Sequence, residues 1–486
     1  MYPPKRNLYG LFFLLFILAV LTNNCKEEPT AKPEHTVIKG KINNHSGGSI
    51  IKIETHDFSN SRNFYTRTEN NEYYTIRFKQ YHPHRVSLYY NNSSINVYTK
   101  PGDITEVNFN ASSFPESNII FRGDSKEINQ LMNAFEHVWK SIEESQYDKQ
   151  AKKYSFSDYK KFVDKETDKL LNRLEKFKEN NKMCCGFEQW ARTEIKYHKY
   201  YRLMRYSWLN PLLNNRSPSM HKPVSYNEKF LNDVKIEDPG ALHSKFYNDF
   251  LSEYTHRFHL QMLRNRDSSK SPVSYSDRIK HIISSSDKGF VRYYMLTDLY
   301  GEILDYVPMD TLESITYSLL SKIHYGPMRE YINDQYWKTK YFDDAGSSIL
   351  KEVPGMSITN LLDSIHETGS KKMIYIDVWA DWCGSCIKNI PQLKNMQKHL
   401  SNKPIQFVTF AIESKAYKVR EILLKEELKS NNFLLNESQT NELQKKFNFS
   451  YIPRYILIGK NGNVIDENAP HPGKEAIQAI EKHLNQ

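Results

Sequence analysis

Short β-patterned runs separated by turn residues fill the first part of the chain, from residue 35 to residue 122. Residues 36–40 and 85–89 have the β-branched and aromatic content that strands favour. Pro101-Gly102-Asp103 is a strong turn signal, and a further strand-like run follows it at residues 105–109. Because such runs recur at short spacing, this segment predicts a small antiparallel β-sandwich.

Residues 123–345 show the periodicity of helices instead. Tyr197, Tyr201, Met204 and Trp208 recur at spacings of four, three and four residues, which places them on one helix face. An apolar stripe of this kind is typical of a helical core. We therefore predict an all-α region between the β-sandwich and the last part of the chain.

A cysteine pair stands at a strand-to-helix junction in the last part, residues 346–486. The apolar run Met373–Trp379 predicts a buried strand, and residues 387–400 predict a helix. Cys383 and Cys386 lie between them, with Cys383 at or near the helix N-terminus, where the helix dipole favours a thiolate. A nucleophilic thiolate with a second thiol one turn later is the minimum equipment for thiol–disulfide exchange.

Two other roles for the Cys383–Cys386 pair are possible. One CxxC is half of a zinc site, but no second cysteine or histidine pair follows at ligand spacing. A structural disulfide is the other alternative, although a loop this short constrains the unfolded chain little. The strand and helix on either side favour redox chemistry.

From about residue 357 to its end, the chain resembles the thioredoxin fold. Within that fold it resembles the TlpA/ResA-type thiol–disulfide oxidoreductases of bacterial envelopes. The matching features are Asp377 six residues before Cys383, Trp379 and Trp382 around the motif, Pro391 in the following helix, the Ile452-Pro453 strand, and Asn468-Ala469-Pro470-His471-Pro472. The resemblance implies a C-terminal α/β/α domain, so the predicted fold class is multidomain α+β.

The resemblance also implies roles for individual residues. Cys383 would attack a client disulfide and Cys386 would resolve the mixed disulfide, with Asp377 accepting a proton through water. Trp382, together with Ile452-Pro453, would bind the client chain, and the Ile452–Pro453 peptide bond would be cis. No cofactor is implied beyond the redox-active disulfide itself.

Two departures from the family pattern concern the tuning of the site. The dipeptide between the cysteines is Gly384-Ser385, where many relatives have proline second, and Ser385 supplies a backbone N–H and a hydroxyl that can solvate the Cys383 thiolate. Residues 407–411 lack the lysine that accompanies the buried acid in thioredoxin. An acid buried without a cation should have a raised pKa, so we expect this of Asp377.

The N-terminus predicts export. Lys5-Arg6 precedes an apolar run over residues 8–21, which is too short for an ordinary membrane span and fits a signal peptide covering residues 1–24. Cys25 resembles the lipidated cysteine of bacterial lipoproteins, and residues 25–34 read as a flexible tether. Simple cleavage and an uncleaved anchor are the alternatives to lipidation.

The net charge and the remaining cysteines and histidines indicate less about function. The formal charge of +10 is spread over lysine-rich helices and no nucleic-acid motif occurs, so no nucleic-acid partner is expected. Cys184-Cys185 predicts two reduced, partly buried thiols, with a vicinal disulfide or an internal redox partner as the alternatives. His82 and His84 lack an evident third ligand, so we expect them to face solvent and predict no metal site.

Two further histidines, His256 and His259, share a helix face in the α-region. No acidic third ligand is evident near them in the sequence, so we interpret them as structural.

The sequence as a whole predicts an exported, lipid-anchored thiol–disulfide oxidoreductase, more specifically a reductase, in the cell envelope of a Gram-negative bacterium. Its partners would be disulfide-bearing client proteins, a membrane electron donor of the reductase type, and the membrane that holds the lipid. The alternative is an envelope binding lipoprotein whose thioredoxin-like domain is mainly a scaffold.

Overall fold

The computed structural model describes residues 35–484, except 45–48, 59, 69–71, 117, 141–143, 216–227, 265–273, 347, 370 and 429. The chain forms two compact units. One comprises Met1–Ile303 and Tyr317–Ile332, and the other comprises Leu304–Thr316 and Asn333–Gln486. The predicted signal peptide and tether, with Cys25, lie outside the described residues. Within the described part, no helix combines the length and apolar character needed to cross a membrane.

Eight strands open the first unit. They are β1 His35–Asn43, β2 Ile50–Asp57, β3 Asn60–Arg67, β4 Tyr73–Lys79, β5 His84–Tyr90, β6 Ser93–Thr99, β7 Ile104–Asn110 and β8 Ile120–Gly123. They form two four-stranded sheets, with the orders β4-β1-β7-β8 and β3-β2-β5-β6. Neighbouring strands run antiparallel, apart from β1 and β7, which are parallel.

The inward residues of both sheets share one apolar core. Ile38 of β1 and Val107 of β7 pack in the same cluster as Ile53 of β2 and Leu88 of β5. Side chains alternate along each strand, so one face of every sheet can be buried while the other stays polar. The predicted β-sandwich is therefore confirmed, with one parallel strand pair that short-range sequence pattern does not reveal.

Helices follow the sandwich. They are α1 Lys126–Lys140, α2 Glu144–Lys153, α3 Phe156–Asn180, α4 Cys185–Leu213, α5 Lys245–Arg264, α6 Tyr275–Ser285, α7 Phe290–Tyr306, α8 Met309–Leu320 and α9 Gly326–Gly346. Ser155 and Ser274 cap α3 and α6, each accepting a hydrogen bond from the backbone N–H three residues later. The predicted all-α region is confirmed.

The predicted aromatic stripe lies on α4. Tyr197 and Met204 are buried, and Tyr201 and Trp208 are half-buried on the same helix. Cys184, the residue before this helix, is half-buried and free, as expected. The side chain of Cys185 lies outside the described residues.

The second unit contains a six-stranded sheet flanked by helices. Its further elements are β9 Leu350–Glu352, α10 Ile358–Thr368, β10 Met373–Trp379, α11 Gly384–His399, β11 Ile405–Ala411, α12 Ala416–Lys425, β12 Asn431–Leu434, α13 Glu437–Lys446, β13 Arg454–Ile458, β14 Val464–Asp466 and α14 Lys474–Leu484. The strand order is β14-β13-β10-β11-β12-β9. Strands β9 to β12 run parallel to one another, and β13 pairs antiparallel with both β10 and β14.

Two apolar cores cover the two faces of this sheet. Helices α11, α12 and α14 pack on the face that carries Tyr375, while α10 and α13 pack on the face that carries Ile376. All seven residues of β10 are buried, which explains why its sequence is a continuous apolar run and not an alternating one. This is the predicted α/β/α domain.

Candidate active site

The junction of β10 and α11 places the two cysteines. Strand β10 ends at Trp379, and Cys383 is the N-cap residue of α11. The backbone N–H of Cys386 donates to Cys383 Sγ at 3.2 Å, which is a capping bond made by sulfur. The predicted strand is observed with the same bounds, and the helix begins three residues earlier than predicted. Cys383 therefore lies at the positive end of the helix dipole, as expected.

Cys383 and Cys386 form a disulfide, with their Cα atoms 5.3 Å apart. Both residues are buried: Cys383 is 5% exposed and Cys386 is 2% exposed. Ser385 Oγ lies 3.4 Å from Cys383 Sγ. A disulfide sulfur carries no hydrogen, so the serine hydroxyl is the donor. After reduction, the same hydroxyl is in place to solvate a thiolate on Cys383.

Asp377 lies in β10 on the sheet face covered by α11. Its side chain is buried, and burial raises the pKa of Asp377 to about 7. Among the described residues, its Oδ1 has no hydrogen-bond partner. Its neighbour in the parallel strand β11 is Thr409. Threonine is uncharged, so this position supplies no cation to stabilise the carboxylate. The predicted rise in pKa is confirmed, and its cause is desolvation.

Trp382 is held against the loop after β11. Its side chain is 58% exposed, yet its indole N–H donates to the Glu413 carbonyl at 3.0 Å. The backbone N–H of Asp381 donates to Ser414 Oγ at 2.9 Å, so the same loop holds two successive residues. The indole beside Cys383 is thereby exposed and oriented at the same time.

The segment before β13 contributes the third part of the site. The Ile452–Pro453 peptide bond is cis, as predicted. Ile452 is half-buried and packs against the apolar cluster that contains Cys383 and Cys386. Tyr451, the preceding residue, is 62% exposed. An exposed aromatic residue therefore lies next to the cis-proline bond.

Sequence reasoning missed a group of polar contacts beside Asp377. The hydroxyl of Tyr375 donates to the Pro470 carbonyl at 2.6 Å, and Asn389 Nδ2 donates to the hydroxyl of Tyr455 at 2.9 Å. The rings of Tyr375 and Tyr455 stack with centroids 5.7 Å apart. One signal was available: Tyr375 is two residues before Asp377 and so shares its strand face.

The expectation that His82 and His84 face solvent is wrong. Both imidazoles are buried, as is the carboxylate of Asp57, and one ligand atom from each of the three lies within 4.8 Å of the others. The alternation of β5 explains the error. His84 shares the inward face with Val86 and Leu88 because side chains on one face recur every second residue.

The surroundings of His256 and His259 also differ from expectation. These residues line a cavity of about 360 Å³ together with two acidic residues of α7, Asp298 and Glu302. Burial, followed by the nearby charge of Arg278, lowers the pKa of His259 to about 4. The acidic neighbours come from a helix distant in sequence, so inspection of α5 alone could not reveal them.

Comparison with known proteins agrees with this geometry. Residues 362–482 match the Redoxin family. No curated protein sequence is significantly similar to the chain.

Three solved structures illustrate the similarity. A protein assigned as a thiol–disulfide oxidoreductase from Bacteroides vulgatus is 30% identical, with 24% of this chain and 73% of that chain aligned and a TM-score of 0.21. The thioredoxin domain of another oxidoreductase from that organism is 17% identical, with 24% and 84% aligned and a TM-score of 0.23. StoA from Bacillus subtilis is 19% identical, with 24% and 84% aligned and a TM-score of 0.20.

Residues 362–482 therefore form a Redoxin-family segment, in agreement with the predicted thioredoxin-like oxidoreductase domain. The sequence resemblance to the TlpA/ResA type is confirmed at this level.

Proposed function

We propose that the protein is an exported, lipid-anchored reductase of protein disulfides that works through the Cys383–Cys386 couple. The observation that carries the proposal is the arrangement of three groups. Cys383 caps the N-terminus of α11 with Cys386 in the first turn, and a serine hydroxyl lies 3.4 Å from Cys383 Sγ. A buried carboxyl with a pKa of about 7 lies on the sheet face that α11 covers. Together these groups can stabilise a thiolate and move a proton near neutral pH.

The first step uses the reduced enzyme. The Cys383 thiolate attacks one sulfur of a client disulfide, so an S–S bond forms between enzyme and client while the client bond breaks. The second client sulfur leaves as a thiolate and takes a proton from solvent. The exposed Trp382 and Tyr451, with Ile452-Pro453, would hold the client chain beside Cys383.

The second step releases the client. Asp377 accepts the proton of the Cys386 thiol through a water molecule, and the Cys386 thiolate attacks Cys383 Sγ. The enzyme–client bond breaks and the first client sulfur leaves as a thiolate. Two electrons have passed to the client, and the Cys383–Cys386 disulfide is restored. A membrane donor of the reductase type would then reduce it, with no further cofactor on this chain.

Insulin reduction with purified variants tests this function. Cys383→Ser should abolish turnover because the nucleophile is lost, and Cys386→Ser should accumulate mixed disulfides because the resolving thiol is lost. Cys184→Ser, a change at the half-buried free cysteine, is the matched control and should retain full activity. Full activity of Cys383→Ser would exclude the mechanism, whereas an inactive wild-type protein would favour the scaffold alternative.

A further inference from the structure

We propose that Asp57, His82 and His84 of the β-sandwich form a binding site for a divalent transition-metal ion such as Zn²⁺. Two imidazoles and a carboxylate are a ligand set that Zn²⁺ and related ions use in proteins. One ligand atom from each residue lies within 4.8 Å of the other two, and all three side chains are buried. This site is separate from the cysteine chemistry and does not depend on the proposed function.

The strand register brings the three residues together. Glu54 of β2 faces Ser87 of β5 in antiparallel pairing, so continuing the register sets Asp57 opposite His84 at the end of the strand pair. His82 belongs to the turn that leads into β5. Neighbouring strands of one sheet therefore present Asp57 and His84, with His82 in the adjoining turn, and a sheet is a rigid support for a metal site.

Two of the candidate ligand atoms are buried without a hydrogen-bond partner among the described residues. They are Asp57 Oδ1 and His82 Nε2. Leaving a buried polar atom without a hydrogen-bond partner is unfavourable, so native proteins usually satisfy such atoms. A metal ion between Asp57 and His82 would satisfy both atoms at once.

The imidazole tautomers suit metal binding. His84 Nδ1 lies 2.8 Å from the His82 carbonyl, and His82 Nδ1 lies 3.2 Å from the Pro83 carbonyl. A carbonyl can only accept, so Nδ1 carries the proton in each ring and Nε2 keeps its lone pair. Gln80 Nε2, 3.2 Å from His84 Nδ1, can donate to the Thr99 carbonyl instead. A backbone carbonyl is one of the usual partners of the ring nitrogen that does not bind the metal.

The hydrogen bonds that Asp57 and His84 already make are compatible with metal binding. Arg62 donates to Asp57 Oδ2 from Nε at 3.0 Å and from Nη2 at 2.6 Å, which fixes the carboxylate while Oδ1 stays available. Thr55 Oγ1 lies 2.6 Å from His84 Nε2 and 3.5 Å from Asp57 Oδ2. Because the hydroxyl has a second acceptor in Asp57, it can release the His84 lone pair to a metal.

Zinc titration of the full chain tests the site. The protein is stripped with a chelator, kept oxidised so that Cys383 and Cys386 stay paired, and titrated with Zn²⁺ by calorimetry. We expect one ion per chain and a Zn²⁺-dependent rise in the melting temperature that chelator reverses. His82→Gln and Asp57→Asn should each weaken affinity at least about 100-fold, since each removes a ligand.

Two controls separate the site from other metal binders. His56→Gln changes an exposed histidine next to Asp57 on the same strand and should leave affinity within about twofold of wild type. Cobalt replaces zinc in a parallel titration, and its spectrum should lack a sulfur charge-transfer band, which excludes Cys184 as a ligand.

Absence of any binding, a sulfur band with cobalt, or undiminished affinity in His82→Gln would each overturn the proposal. If His82→Gln does not fold, Asp57→Asn and the reversible rise in the wild-type melting temperature decide the matter. No rise in melting temperature would then count against the site.

Discussion

At the scale of the residue, Asp377 combines two roles that oppose each other. A buried carboxyl whose pKa is about 7, against an ordinary value of 3.8, is ready to exchange protons at neutral pH. The same burial disfavours the ionised form and so lowers the stability of the folded state. A site that needs a base near neutral pH therefore carries a cost in stability.

The sign of this cost gives the first prediction. Below about pH 4 the carboxyl is protonated in both states. Between about pH 4 and pH 7 the unfolded chain has released the proton and the folded chain has not, so the free energy of unfolding falls as pH rises. Above pH 7 the loss is complete, at roughly 4 kcal/mol as an upper figure. Asp377→Asn should therefore be more stable than wild type at about pH 8 and lose this pH dependence.

Urea unfolding of the oxidised protein at about pH 5 and about pH 8 measures this effect. Asp363→Asn, a change at an exposed carboxyl of α10, is the control and should keep the wild-type slope. The same Asp377→Asn variant should resolve mixed disulfides at least about 10-fold more slowly, because a general base is lost. Equal pH slopes in Asp377→Asn and wild type would contradict the assigned pKa.

At the scale of the element, one side chain joins α13 to the segment before α10. Asn436 and Gln439 form a capping box at the start of α13. The Gln439 amide also donates to the carbonyls of Val353 and Met356, at 2.9 Å and 2.8 Å. The amide therefore satisfies groups that are more than 80 residues away in sequence.

The second prediction compares two glutamines of this helix. Gln439→Ala should lower the free energy of unfolding by about 2–4 kcal/mol, because it breaks the capping box and leaves the Met356 carbonyl without a donor. The Val353 carbonyl would keep only the hydrogen bond from the Met356 N–H, at 3.3 Å. Gln444→Ala, on the same helix and half-buried, is the matched control and should change it by less than about 1 kcal/mol. Denaturant unfolding of both variants measures the difference. Similar losses in both would mean that the effect does not come from the capping box or from the contacts of Gln439.

The same distinction between local and distant contacts explains what the sequence could predict. Strand β10, the Cys383–Cys386 position and the burial of Asp377 depend on neighbours within about ten residues, and short-range pattern is sufficient for them. Contacts such as Tyr375 with Pro470, or His84 with Asp57, join residues that are distant in sequence. Their partners depend on strand pairing, which periodicity alone does not determine.

At the scale of the whole molecule, the second unit extends upstream of residue 346. Arg420 of α12 contacts the carboxylates of Asp343, at the end of α9, and of Glu352 in β9. Residues 304–316 also belong to this unit. The compact unit that contains the oxidoreductase domain therefore also includes helical residues for which the sequence predicted no chemistry.

The third prediction concerns where the molecule is held. Cys25→Ser should release the protein from membranes or leave the precursor unprocessed, because the thiol that would carry the lipid is gone. Membrane fractionation and mass spectrometry of the mature N-terminus measure this. Cys184→Ser is the control and should remain with the membrane. A mature start after Cys25 in the wild-type protein would rule out the lipid anchor.

The short outer strands of the C-terminal sheet protect it against aggregation. Strands β9 and β14, at the two edges, have only three residues each, and β9 carries Lys351 and Glu352 on exposed positions. Unpaired strand edges recruit other extended chains, and short or charged edges prevent this. With the proposed function, the protein would meet client chains at every turnover. Because its edge strands are short, the sheet can contact such chains without adding them as further strands.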